Sequence, residues 1–332
     1  MKSNILLSIL FLSVFACEKK DNSGLDSINF EFSFSTETRP IAIAIGKDNG
    51  FVFVINHNPS INNFSSKIQK FNLNGDLVNT IVDFESFVNG KYRRYTPKDM
   101  SLNSSNIFVL TRPLQLSDDT WISSSGFCVL QFNLKGDLIN EYDFSDSEEL
   151  YYNSIACSND FIYVTGGYIL IKRIEKNSGS ASDIHIPITN DKPYLLVSDM
   201  EIESDEIIYT TGQGISGIDS INNDVSGCHI TKLNCTNEQQ ITFYSKSRTG
   251  VMAAMPNNPG MTISDNGNIY LTTFYGLSIE IYDRDNEFIL QEDINPDARP
   301  ETLPIDIALI NNDIYILDYK NSKVLVYNEE RK

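Results

Sequence analysis

At 332 residues with a formal net charge of −18, the chain is long and strongly acidic. That charge repels phosphate backbones and anionic lipid headgroups, which argues against nucleic acid as a partner and against membrane binding through charge. The five cysteines are dispersed and do not show the spacing of a disulfide framework.

In chain order, the first segment is Met1-Lys2 followed by an uncharged run from Asn4 to Ala16, rich in Ile, Leu and Phe. The run is too short to cross a bilayer as a helix, which takes about 20 residues. A basic start, a short apolar run and a small residue read as a secretory signal over 1–16. Val14-Phe15-Ala16-Cys17 resembles a bacterial lipobox, in which the chain is cut before the cysteine and the cysteine takes the lipid, although Phe15 stands where a small residue is usual. The alternative is an ordinary exported protein cut after Ala16. Glu18-Lys19-Lys20-Asp21 resembles the signal that moves Bacteroidota lipoproteins to the outer membrane and often to its outer leaflet. Residues 17–27 are thus expected to be a lipidated Cys17 and a flexible polar tether, ahead of a folded body over 28–332.

SINFEFSF (27–34) is a strand-like segment that precedes a repeating pattern. Each repeat has an apolar run, a polar turn, a second run ending in Ile-Tyr or its like, a third run, and a Gly/Asn/Asp turn into a fourth. NLNGDL (72–77) returns at that last turn as NLKGDL (133–138). The second runs are FVFVIN (51–56), NIFVLT (106–111), FIYVTG (161–166), IIYTTG (207–212), NIYLTT (268–273) and DIYILD (313–318). All are short, β-branched, aromatic and flanked by turn residues, as strands are. Four short strands repeated six times predict an all-β, six-bladed β-propeller, whose blades bury their faces only against one another. The last repeat has PIDIALI (304–310), DIYILD and KVLVYN (323–328) but no fourth strand. The ring is therefore expected to close by pairing the N-terminal strand with the last blade. Cys157 and Cys235 replace a leucine of the repeat and are expected in the core. Cys128 and Cys228 fall in non-neighbouring repeats, so a bridge between them is not expected.

PGMTISDNGNIYLTT (259–273) and DIYILDYKNSKVLVYN (313–328) resemble NHL repeats, with Lys323 where arginine is usual. Beyond the signal, the whole chain resembles the NHL-like six-bladed propeller lipoproteins of Bacteroidota. The resemblance implies the fold and hardly constrains activity.

Insertions are confined to two kinds of connection. Residues 56–66, 112–126 and 212–227 fall between second and third strands, while 83–95 and 245–257 link repeats. In a propeller both emerge on one face, and such one-sided growth marks a binding surface. These segments hold Tyr92-Arg93-Arg94-Tyr95, the sole tryptophan Trp121, His57, Met252 and Met255. Aromatic, arginine and methionine side chains are enriched at interface cores. The alternative is that they fold over one another and plug the channel mouth.

Aligning PKDMSL (97–102), VSDMEI (197–202) and PIDIAL (304–309) places Asp99, Asp199 and Asp306 at one repeat position, where the other copies have Ala42, Ser154 and Gly260. Three carboxylates converging at the channel mouth could hold a hard cation such as Ca²⁺. Equally, each could accept backbone N–H bonds at a strand entrance. Three histidines are few for a zinc lyase: His185 is assigned to an outer strand, His229 to a third strand, and His57 alone to the expanded face. Gly212-Gln213-Gly214 only begins an insertion, and no nucleophile motif is suitably placed.

These features lead to the expectation of a lipid-anchored envelope propeller acting as a binding or scaffolding module, with an envelope protein or an extracellular glycan as partner. The alternatives are a Ca-dependent lactonase-like hydrolase or lyase at the channel mouth, and a glycan-binding accessory of an outer-membrane transporter.

Overall fold

The computed structural model describes residues 25–37, 39–60, 63–86, 93–117, 120–123, 126–145, 152–166, 170–185, 194–204, 207–215, 228–235, 239–244, 260–273, 278–294 and 303–331. Tyr92, Met252, Met255, Cys17 and the signal lie outside these residues. The described residues contain no helix, and no helix long and apolar enough to cross a membrane.

Six antiparallel sheets form the blades. Blade one is β2 (Pro40–Gly46), β3 (Phe51–Ser60), β4 (Asn63–Asn72) and β5 (Leu77–Asp83). Blade two is β6 (Arg93–Leu102), β7 (Asn106–Ser117), β9 (Phe127–Asn133) and β10 (Leu138–Phe144), with the short β8 (Thr120–Ser123) paired to the end of β7. Blade three is β11 (Tyr152–Cys157), β12 (Phe161–Gly166), β13 (Leu170–Glu175) and β14 (Ala181–His185). Blade four is β15 (Tyr194–Ser204), β16 (Ile207–Ile215), β17 (Cys228–Asn234) and β18 (Gln239–Tyr244). Blade five is β19 (Met261–Ile263), β20 (Ile269–Thr273), β21 (Ser278–Tyr282) and β22 (Phe288–Asp293). Blade six is β23 (Pro304–Ile310), β24 (Asp313–Asp318), β25 (Lys323–Arg331) and, as its outer strand, β1 (Leu25–Ser35).

The ring closes as expected, with Leu25 opposite Arg331 and Ser35 opposite Lys323. The innermost strands β2, β6, β11, β15, β19 and β23 contact one another in succession and back to β2, enclosing a channel.

The inner stretches of the second strands are largely apolar at successive positions because both of their faces are covered. Period-2 alternation sends Phe53 and Ile55 into the cluster shared with blade two, and Val52 and Val54 into the cluster shared with blade six. Ile107 and Val109 meet blade one, while Phe108 and Leu110 meet blade three. Six clusters fill the six interfaces between blades, so the core is a ring of radial seams with no single centre. The tyrosine of the Ile-Tyr pair enters the seam ahead: Tyr315 Oη donates to Leu73 O of blade one at 3.3 Å, and Tyr270 Oη to the Glu329 carboxylate of blade six.

The twice-occurring NL(N/K)GDL segment is the turn into the outer strand. Asn72 Oδ1 accepts from the backbone N–H of Asn74 and Asp76, and Asn133 Oδ1 from those of Lys135 and Asp137. Gly75 and Gly136 have φ of +85° and +94°, which glycine alone adopts freely. At Gly136 a Cβ would also lie 1.9 Å from Ile81 O of the neighbouring blade.

Candidate functional site

The three aspartates belong to the innermost strands of blades two, four and six, and each follows a one-residue slip in register. The slips fall between Pro97 and Asp99, Val197 and Asp199, and Pro304 and Asp306. Blades one and three slip at the matching place, before Ala42 and Ser154. A bulge repeated at one position re-aims the residue that follows it, here towards the channel.

Each carboxylate joins its own blade to the next, and Asp199 also holds Ser154 of the blade before. Asp99 Oδ1 accepts from Met100 N at 2.7 Å and Oδ2 from Ile155 N of blade three at 2.9 Å. Asp199 Oδ1 accepts from Met200 N at 2.7 Å and Ser154 Oγ at 2.8 Å, and its Oδ2 from Met261 N of blade five at 2.7 Å. Asp306 Oδ1 accepts from Ile307 N at 2.8 Å and Oδ2 from Ile43 N of blade one at 2.7 Å. The latches therefore run two to three, four to five and six to one. The alternating small residues leave them room: a Cβ on Gly260 would lie 2.4 Å from Asp306 Cα.

A cavity of about 380 Å³ occupies the channel, lined by the three aspartates, Glu201 and Cys157, and by Lys47 and Asn103 at the short-turn end. Burial, then the Asp199 charge, raises the Asp99 carboxyl to about 7. Burial likewise raises Asp199, and burial followed by the charges of Asp199 and Asp99 raises Asp306 well above the usual range. Glu201 is pushed up to about 8 by burial and then by Asp199, against a smaller opposing pull from Lys47. Glu201 belongs to no motif that marks it in the sequence. Its signal was the period-2 spacing from Asp199, which puts both on one face of β15. Lys47 pairs with Asp265 where the channel opens, and both are exposed.

The three aspartates do not bring three oxygens within 4.8 Å of one another. Among the described residues the group that meets that distance is Cys128, Glu141 and Asp143 in β9 and β10. Cys128 Sγ donates to Asp143 Oδ1 at 3.2 Å and Tyr95 Oη donates to Glu141 Oε1 at 2.8 Å, so both carboxylates already hold protein donors. A buried thiol with two carboxylates is not the all-oxygen set that calcium takes.

Several residues assigned to long loops sit in strands. Arg93, Arg94 and Tyr95 open β6, paired with Gln115, Leu114 and Pro113. Tyr95 is 4% exposed and belongs to the seam between blades one and two. Within 112–126, residues 114–117 of β7 pair with 120–123 of β8, with Trp121 opposite Leu116. Residues 56–60 and 63–66 likewise continue β3 and β4, pairing Ser60 with Asn63. His57 in β3 is half-buried with Nδ1 2.7 Å from Ser66 Oγ, and burial, then Lys98 and Arg39, lower it to about 4. It is therefore neutral at pH 7. His185 ends the outer strand β14 and His229 lies in the third strand β17, as assigned. Gly212, Gln213 and Gly214 extend β16 opposite Val197, Leu196 and Leu195. Cys128, Cys157 and Cys235 form no disulfide; Cys128 is fully buried and the others pack at the edges of core clusters.

No family model matches the chain, and no curated protein matches its sequence. Solved structures do resemble it. A protein of unknown function from Bacteroides thetaiotaomicron is 12% identical with a TM-score of 0.61, covering 92% of this chain and 76% of that one. Virginiamycin B lyase from Staphylococcus aureus is 14% identical with a TM-score of 0.54, covering 92% and 89%. The β-propeller domain of Cps50 (Swd1) from Myceliophteria thermophila is 8% identical with a TM-score of 0.54, covering 91% and 99%. At such identities the likeness shows the fold alone: the chain is a six-bladed β-propeller.

Proposed function

We propose that this protein is an NHL-like, lipid-anchored propeller of the cell envelope, held by Cys17 at the outer membrane. It works as a binding or scaffolding module through the face that carries the long connections. The observation behind this reading is the asymmetry of the two faces. On one, the β3/β4 and β7/β8 hairpins project beyond the blades; on the other, turns such as 47–50, 103–105 and 311–312 are kept short. Scaffolds place partner contacts on elaborated loops and keep the opposite face plain. The partner is an envelope protein or an extracellular glycan, and Trp121 suits stacking on a sugar ring or anchoring an interface. Crosslinking from the native membrane, with residues 116–121 replaced by Asn-Gly in a parallel sample, tests it. A partner captured only by the intact hairpin is the expected result; retention of every partner by the trimmed protein sinks it.

A second reading, hydrolysis or elimination on a small sugar or lactone, draws on the carboxylate-lined cavity and on the likeness to virginiamycin B lyase. Calcium bound there would need further oxygen ligands, since it takes about 6–8. Metal-dependent turnover that Asp199→Ala abolishes in a still-folded protein would favour this reading over scaffolding.

A further inference from the structure

The bulges that re-aim the channel aspartates each leave one residue out of the ladder. These residues are Ile41, Lys98, Asn153, Ser198 and Ile305. In blades one and six the residue is isoleucine, which packs against the seam to the next blade. Blade two holds Lys98 at the same position, so a cation stands where the fold elsewhere places an aliphatic side chain. A cavity of about 190 Å³ opens beside it, lined by Lys98, Arg112, Thr111 and Asn153 and by the rings of Phe127 and Tyr152. Phe127 and Tyr152 open β9 and β11, the strands entered from long connections, so the cavity lies on the long-connection face at the mouth of the seam between blades two and three.

Charge sets this place apart. Among the described residues Lys98 forms no ion pair. Asp99, next in the chain, is turned into the channel and held by Met100 N and Ile155 N. Lys98 is solvent-exposed, yet the protein packed around it, and then the Arg112 charge, lower its ammonium below the usual lysine range. His57 occupies in blade one the repeat position that Arg112 holds in blade two, one residue past the partner of the strand-opening proline. Its N–H donates to Arg39 O at 2.9 Å, and the charges of Lys98 and Arg39 both act on its ring. Three cations and a histidine therefore gather along two adjacent seam mouths of a chain whose net charge is −18. Holding like charges together costs Coulomb energy, which a bound anion offsets.

We infer that the cavity between blades two and three binds the carboxylate of an acidic sugar, with Lys98 and Arg112 on the carboxylate and Asn153 on a ring hydroxyl. The inference rests on the extracellular-glycan partner proposed above and names its chemistry. The planar fork of a guanidinium matches the two oxygens of a carboxylate, and the ammonium adds a point charge. Five N–H donors let Arg112 hold a protein neighbour and an anion together. Asn153 Nδ2 donates to Val197 O at 3.3 Å, so its Oδ1 is the atom offered to a hydroxyl. Phe127 and Tyr152 supply an apolar wall, the mixture of aromatic lining and few polar groups that ligand sites use. The cavity is small beside the roughly 300–1,000 Å³ of ordinary ligand sites, so it takes one terminal sugar and not a run of them.

The test is calorimetric titration of the full chain in detergent with galacturonate, galactose and inorganic phosphate. Galacturonate is expected to bind and galactose to give no detectable heat. Lys98→Ile and Arg112→Gln should each weaken galacturonate by about tenfold or more, the effect of losing one charged hydrogen bond. Lys98→Ile introduces the residue type of Ile41 and Ile305, so its Tm is expected at or above that of the parent, and Lys98→Gln replaces it if the isoleucine variant misfolds. A lowered Tm with unchanged galacturonate affinity overturns the inference by making Lys98 a structural residue. Phosphate bound as tightly as galacturonate overturns the sugar assignment in favour of a general oxyanion site. Absence of galacturonate binding overturns it outright. Crosslinking with the 116–121 replacement, run beside the titration, keeps the two readings apart: a partner still captured through the intact hairpin while galacturonate fails to bind removes this site and leaves the scaffolding role standing.

Discussion

Asp199 accepts three hydrogen bonds on two oxygens, from Ser154, Met200 and Met261, and so links blades three, four and five. Asp199→Ala leaves two backbone N–H groups and a hydroxyl without their acceptor, at about 1–3 kcal/mol per stranded buried group. The expected outcome is a Tm several degrees lower by calorimetry. An unchanged Tm would mean that the latches carry no stability. Gly260→Ala forces a methyl against the Asp306 backbone and is expected to cost about 1–3 kcal/mol in chemical denaturation, the range for overpacking. The channel acids also set a pH dependence. Asp99 and Glu201, raised to about 7 and about 8, keep protons in the folded chain that the unfolded chain releases near 4. Their contribution is complete below the unfolded values and is lost as pH rises through about 7 and 8, with a slope of up to ~1.4 kcal/mol per pH unit for each retained proton. Thermal scans should show Tm falling across that window, and Glu201→Gln should flatten its upper part.

Among elements, the hairpins distinguish the long-connection face. Leu114, Leu116 and Trp121 around Asp118-Asp119 carry a strand-turn-strand pattern inside what the sequence suggests as a loop. Pro113 and the polar stretch around it mask the alternation, and only the β6–β7 ladder, running from Arg93–Gln115 inward, makes the extension visible. Tyr95 was similarly hidden: beside two arginines it suggests a surface, yet a strand that begins at Arg93 turns its ring into the seam, where its hydroxyl reaches Glu141. Replacing residues 116–121 with Asn-Gly between the paired Gln115 and Ile122 keeps the β7–β9 ladder and supplies a favourable two-residue turn. Far-UV circular dichroism and Tm are expected to stay near those of the parent, so that any lost binding reports on the hairpin itself.

At the scale of the molecule, β1 is what closes the ring. It covers the outer edge of β25 along nine paired positions and places Leu25 and Ile28 in the seam between blades five and six. Removing residues 1–35 bares that edge and takes Leu25 and Ile28 out of the seam. The expected result is a polydisperse or aggregated species by size-exclusion chromatography, because an open sheet edge templates pairing with other chains. A monomeric truncated protein of unchanged Tm would show that closure is dispensable.

Local information was sufficient for the architecture. Period-2 apolar runs, turn residues at fixed offsets and their sixfold recurrence are properties of neighbouring residues, so the six blades and the displaced first strand were legible in the sequence itself. The shared position of Asp99, Asp199 and Asp306 was legible for the same reason. What those carboxylates bond to was not: Ile155, Met261 and Ile43 come from the next blade, and only ring closure brings them within reach. The same holds for Glu201 in the channel and for Tyr95 in a seam. Each is set by how separate blades meet, which the tertiary structure decides because their proximity exists only after long-range packing.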